Sequence, residues 1–306
     1  MQTYKLLNFS YKDNQNAYFP GVLINEVMVI DLCQSFHQQD WATSTLKVIQ
    51  DWDNSDQKIL SLIASNKYES ISLANLILRA PLLYPPAIYC TGANYNDHAK
   101  EMSAEGSGVD KSTTQPYLFL KAGPHCVIGP GEMIRIPHVT NSLDWEGEFA
   151  VVIGKNARNV KAKDALNYVA GYTIMNDLSA RNLSHRKDWP RWGIDWFGHK
   201  NFDGAAPMGP WITPANQISD YTKCHLKLWV NDEKKQDSLV ENLIFNVEEI
   251  IEYLSERMTL MPGDVIATGT PSGVGRPKGT FLKAGDIVRI EISGIGVLEN
   301  PVSQGI

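Results

Sequence analysis

Two glutamates one residue apart, Glu146 and Glu148, stand immediately before the continuous apolar run Phe149-Ala150-Val151-Val152-Ile153. In an extended strand, side chains at i and i+2 share a face, so both carboxylates point the same way, with Asp144 next along the row. An uninterrupted apolar run of this kind reads as a strand covered on both sides. Parallel negative charges beside such a core repel one another and are costly to desolvate. A divalent cation relieves both problems, and an all-carboxylate donor set suits Mg²⁺, Mn²⁺ or Ca²⁺ rather than zinc. The competing reading is a solvated strand face. The buried continuation of the strand argues for a site.

The chain has 306 residues, 43% hydrophobic and 20% charged, which is ordinary for a globular enzyme. A net charge of −6 gives no reason to expect nucleic acid or an anionic membrane as partner. No apolar run reaches the length of a membrane span, and Met1-Gln2-Thr3-Tyr4-Lys5 has no signal-peptide core. Cys33, Cys90, Cys126 and Cys224 are scattered without a Cys-x-x-Cys pair, as expected of free thiols in a reducing compartment. These features lead us to expect a cytoplasmic protein acting on a small molecule.

Residues 1–75 read as a small α/β module, with strands over 4–9, 17–23 and 26–30 and helical spacing over 41–64. A proline-rich connector at 80–86 marks a boundary, giving a second part over 76–306. That part is dominated by short strands and glycine turns, with helices expected at 162–167 and 247–255. The fold class is therefore α+β, predominantly β, in a sandwich or roll. The Gly/Ser-rich stretch 103–115 has little apolar content to pack and reads as a loop.

Alternating apolar residues from Tyr168 onward form another strand that ends at Asp177, a third candidate oxygen ligand beside the glutamates. His98 and Glu101, at i and i+3, share a helix face. A carboxylate on imidazole fixes its tautomer and raises its basicity, as a general base requires. Lys121 closes the apolar segment 117–121, and Lys200 lies in the segment 198–203; either can neutralise a substrate anion or only reach the surface. The glycine-rich segment 260–275 fits neither nucleotide-binding template. It reads as a tight loop whose backbone N–H groups or Thr270 hold a carboxylate, or as a plain turn.

In this order, the motifs resemble the fumarylacetoacetate hydrolase family. They are Gly92-x-Asn94-Tyr95-x-x-His98-x-x-Glu101, Asp144-x-Glu146-x-Glu148, Asn176-Asp177-x-Ser179-Ala180-Arg181, Lys200-x-Phe202-Asp203 and Pro262-Gly263-Asp264 through Gly275. The resemblance covers Pro81 to about Val302, with residues 1–75 similar to the family's small N-terminal domain. It implies a mixed β-sandwich roll, a homodimer, and Mg²⁺ or Mn²⁺ held by Glu146, Glu148 and Asp177. It also implies a His98–Glu101 catalytic dyad on a lid, Lys200 as an enolate-stabilising cation, and Lys121, Arg181, Gly269 and Thr270 as substrate contacts. The Trp/Arg-rich stretch 185–197 departs from shorter relatives and either shapes the distal pocket or packs in a core or dimer interface.

The expected reaction is hydrolysis of a carbon–carbon bond in a 2,4-dioxo acid of the acylpyruvate type through a pyruvate enolate. The same enolate serves an oxaloacetate-type decarboxylase or a 2-hydroxymuconate-type isomerase. A non-catalytic binder of oxo acids or sugar acids is the remaining alternative, and binding alone has no use for His98 and Glu101.

Overall fold

The computed structural model describes residues 3–103 and 105–305. Met1 and Gln2, included in the N-terminal reading above, lie outside the described residues, as does Ala104 of the 103–115 stretch. Among the described residues, strands form a twelve-stranded sheet, a five-stranded sheet and a two-stranded ribbon. The fold is mainly β, as the sequence predicts.

The glutamate strand, Gly147–Ile153, lies in the middle of the large sheet. It pairs antiparallel with Val169–Asn176 on one side and Val265–Ala267 on the other. Every residue of it is buried, so the run is covered on both faces. Phe149, Val151 and Ile153 point into a core shared with Leu226, Leu228, Ile290 and Leu298 of the five-stranded sheet. Ala150 and Val152 point the other way, into a second core with Leu6, Ile30, Trp52, Ile59 and Met208. Alternation thus persists, but both faces are apolar because two layers pack against the strand.

N-terminal residues supply much of that second core. Lys5–Tyr11 pairs with Ala206–Pro214 at Leu6 and Ile212, carrying the sheet across into the remainder of the chain. Three sequence expectations are adjusted here. The strand expected from Glu26 begins at Met28, because Asn25 and Glu26 both take left-handed backbone (φ 49° and 62°) in the turn before it. The helical stretch 41–64 divides into a 3₁₀ turn at Asp40–Ala42 and helices Thr45–Gln50 and Trp52–Ser65. Ser44 caps the first helix by accepting from the Lys47 N–H, and Asp51 is non-helical between the two helices. The segment expected as a helix at 162–167 is 3₁₀, Ala162–Tyr168, whereas Val247–Arg257 is an α-helix opened by an Asn246–Glu249 capping box.

Phe149 is fully buried between Tyr172, 4.9 Å away, and Tyr221, 5.8 Å away between ring centroids. Phe149→Ala should therefore cost about 3–5 kcal/mol in chemical denaturation. A loss below about 1 kcal/mol would show that this face of the glutamate strand is not packed as described.

Candidate metal centre and active site

Register brings the carboxylates together. Gly147 pairs with Asn176, and the Asp177 N–H donates to the Glu146 carbonyl at 2.8 Å. The Glu146 N–H donates to Asn176 Oδ1 at 3.0 Å, which ties the residue before the strand to the end of its neighbour. One oxygen from each of Glu146, Glu148 and Asp177 lies within 4.8 Å of the others, and all three residues are buried. Asp144, expected in the same row, falls outside this group. Its oxygens accept from Arg181 Nε (2.8 Å) and from the N–H groups of Gly275 (2.7 Å) and Arg276 (3.1 Å).

Three cations face these acids. Lys200 Nζ donates to Glu146 Oε2 at 2.5 Å and Asp177 Oδ2 at 2.6 Å. Arg181 bridges Asp144 and Glu146, reaching Glu146 Oε1 at 2.5 Å. Lys121 Nζ lies 2.9 Å from Asp177 Oδ1. Burial alone would push Glu146 up, but Lys200 and Arg181 outweigh it and hold that carboxyl far below the usual range. Glu148 goes the other way. Burial and then the charges of Asp177 and Glu146 raise it well above the ordinary value, against Lys200 and the Gly269 N–H. Burial opposes the charged form of Lys200, yet Asp177 and Glu146 raise its pKa above the usual value.

The donor chemistry fits a hard divalent ion. Three buried carboxylates converge with oxygens within 4.8 Å of one another, and burial together with Asp177 and Glu146 disfavours the ionised form of Glu148, which a bound cation would relieve. Asp177 Oδ1 is buried and, despite the nearby lysine, accepts no well-directed hydrogen bond among the described residues. An anionic oxygen left this way is costly unless something else binds it.

The helix Asn96–Met102 carries the dyad, with His98 Nδ1 3.0 Å from Glu101 Oε1. Glu101 is held in turn by the Gly273 N–H at 3.0 and 3.1 Å, and Asp97 accepts from the Ser272 hydroxyl at 2.8 Å. Gly273 has φ +105°, and a Cβ there would meet the Lys235 carbonyl at 1.9 Å, so only glycine suits this turn. A cavity of about 310 Å³ is lined by His98, the three acids, Arg181, Lys200 and Thr270.

Other expected contacts are committed elsewhere. Lys121 is absent from the cavity wall; it lies behind Asp177 and donates to the carbonyls of Leu178 (3.1 Å) and Lys200 (2.6 Å). The Gly269 N–H donates to Glu148 Oε2 at 2.7 Å, so it positions an acid. The Thr270 hydroxyl lines the cavity but donates to the Gly147 carbonyl and accepts from Gln236. In the 185–197 stretch, Trp196 lines the cavity and stacks on Phe119 at 4.3 Å, while Trp189 and Trp192 are exposed. Asn176 stood within a motif of the sequence reading but had no role there, and Gln236, His199 and Arg276 had none either. Asn176 adjoins Asp177 and was findable there; Gln236, in a polar strand, gave no signal of its burial.

Asp144→Ala should destabilise the protein by about 3–5 kcal/mol in urea denaturation, because it strips the buried Arg181 of one partner. A change under about 1 kcal/mol would remove Asp144 from the network. Burial lowers the His199 pKa to about 4 from an ordinary 6.5. Its folded form stays neutral while the unfolded chain takes up a proton, so stability present above pH 6.5 is lost as pH falls towards 4. His199→Gln should remove about 2 kcal/mol of the stability difference between pH 7 and pH 5. An unchanged difference would contradict a buried neutral imidazole.

Comparison with known proteins agrees with this geometry. Residues 87–303 match the model of the fumarylacetoacetate (FAA) hydrolase C-terminal family. The chain is 35% identical over 313 residues to the oxaloacetate tautomerase YisK of Bacillus subtilis (strain 168), covering 97% of this chain and 100% of the relative. It is 40% identical over 248 residues to the mitochondrial oxaloacetate tautomerase fahd2 of Xenopus laevis, covering 80% and 74%. Among solved structures, it resembles maleylpyruvate hydrolase from Sphingobium sp. SYK-6 in complex with manganese(II) and pyruvate. There the TM-score is 0.78 at 28% identity, covering 99% of this chain and 100% of that one. With the family model spanning most of its length and His98 and the three acids on one cavity, this chain belongs to the fumarylacetoacetate hydrolase family.

Proposed function

We propose that this protein is a Mg²⁺- or Mn²⁺-dependent enzyme that interconverts the keto and enol forms of oxaloacetate. The observation that carries the proposal is the convergence of Glu146, Glu148 and Asp177 on one cavity with His98, which Glu101 holds from behind. The tautomerase relatives, at 35% and 40% identity, shift weight from the expected hydrolysis towards enol chemistry without bond cleavage.

Charge explains why an oxo acid suits the site. Ionising Glu148 beside Glu146 and Asp177 gathers negative charge that a divalent cation would offset, and the same cation would attract an anionic substrate. Glu146, Glu148 and Asp177 would hold that cation. When bound, it supplies a Lewis acid that draws electron density from the 2-oxo group of the substrate.

The chain's own residues then move the proton. Glu101, fixed by Gly273, accepts from Nδ1–H of His98 and leaves Nε2 with its lone pair for substrate. Nε2 takes a proton from C3, the C–H pair becomes the C2=C3 bond, the C2=O π pair moves onto the oxygen, and Nε2–H returns the proton there to complete the enol. The reverse sequence returns the keto acid. The Lys200 ammonium and the Arg181 guanidinium, both on the cavity wall, favour negative charge developing at the C2 oxygen.

Hydrolysis of an acylpyruvate is the second reading, favoured by the maleylpyruvate hydrolase neighbour and by a base that serves water as readily as carbon. The homodimer belongs to the same proposal and is checked by sedimentation. With Mg²⁺ or Mn²⁺, purified protein should accelerate decay of the enol-oxaloacetate absorbance. Pyruvate release from an acylpyruvate without that acceleration would favour hydrolysis, and no effect on either substrate would refute both readings. Glu148→Gln should abolish metal-dependent turnover while preserving the fold; unchanged turnover would remove it from the centre. His98→Ala should slow turnover by roughly 10²–10⁴-fold with metal affinity retained. A near-wild-type rate would assign the proton transfer to another group.

A further inference from the structure

Arg276 stands on the wall of the same cavity and has no part in the chemistry above. Its backbone N–H and that of Gly275 both donate to Asp144, the carboxylate that also holds Arg181. One buried acid therefore fixes this rim relative to the acids of the metal centre. The chain is tightly confined there, since a Cβ on Gly275 would meet the Thr280 carbonyl at 1.9 Å. Beyond its backbone, Arg276 is exposed, borders the cavity and forms no ion pair or side-chain hydrogen bond among the described residues. Lys200 and Arg181, the other lysine and arginine on the wall, are both bound by carboxylates. Arg276 is thus the cavity's unpaired guanidinium, and its planar fork matches a carboxylate in two parallel hydrogen bonds.

We propose that Arg276 binds the second carboxylate of a dicarboxylic 2-oxo acid whose 2-oxo-carboxylate end lies at Glu146, Glu148 and Asp177, selecting dicarboxylates over acids with a neutral tail. This rests on the reading of the centre as a metal-dependent oxo-acid site. With its backbone fixed by Asp144, an Arg276 contact at the tail together with the metal at the other end would hold the substrate's C3 near His98, which is what proton transfer requires.

Calorimetric titration of Mn²⁺-loaded protein with pyruvate and with 2-oxoglutarate tests it without recourse to turnover. The wild type should bind 2-oxoglutarate more tightly. Arg276→Ala should weaken 2-oxoglutarate about ten- to hundredfold and leave pyruvate within about twofold. Arg276→Lys should fall between, because it keeps the charge and loses the fork. Because the side chain is exposed and the backbone N–H is retained, the thermal midpoint should not move. Equal weakening of both ligands, or none, would overturn the assignment of Arg276 while leaving the metal-centred reading intact. A wild type that binds neither ligand would overturn that reading and this inference with it.

Discussion

The Arg181 guanidinium, buried between Asp144 and Glu146, is the interaction on which the site depends. It offsets part of the charge that the acids bring into the interior, and it joins two segments distant in sequence. Through Asp144 it is coupled to Gly275 and Arg276; through Glu146, to Lys200 and Asp177. Such a network is weak evidence for stability, because each ion carries a desolvation penalty of several kcal/mol. Its arrangement makes better sense as preorganisation, with fixed charges positioned before substrate arrives. Glu148 shows the consequence. Left with a backbone N–H and no cation of its own at hydrogen-bonding distance, it is the acid whose ionised form is least favoured.

Much of this was legible in the sequence because the features were local. Glu146 and Glu148 at i and i+2, the apolar run that follows, and His98 with Glu101 at i and i+3 each follow from backbone periodicity. Asp177 was reachable through the strand before it, once the two strands were taken as neighbours. Features that depend on long-range packing were not legible. Gln236 lies among charged residues in the strand Glu233–Leu239, yet its side chain accepts from Gly147 and donates to Thr270 and Pro271. Nothing in its neighbourhood betrays this. Lys121 misled for a related reason: a lysine closing an apolar strand looks poised for a cleft, whereas here it turns inward to carbonyls and Asp177. The Asn25–Glu26 turn and the break at Asp51 show, at smaller scale, how backbone conformation overrides apolar spacing.

The fold distributes the work among layers. The large sheet fixes the acids, with two apolar cores gripping alternate residues of the glutamate strand. The helix Asn96–Met102 brings His98 and Glu101, and its seating depends on a glycine turn that no other residue can adopt without moving Lys235. Rigid acids and a base seated from a separate element allow one scaffold to serve several enol reactions.

The central claim is that Glu146, Glu148 and Asp177 form one divalent-cation site. Titrating metal-stripped protein with Mn²⁺, and following free Mn²⁺ by electron paramagnetic resonance, tests it directly. The account predicts about one bound ion per chain, with affinity lost in a folded Asp177→Asn variant. Binding that is absent in the wild type, or unchanged in that variant, would contradict it.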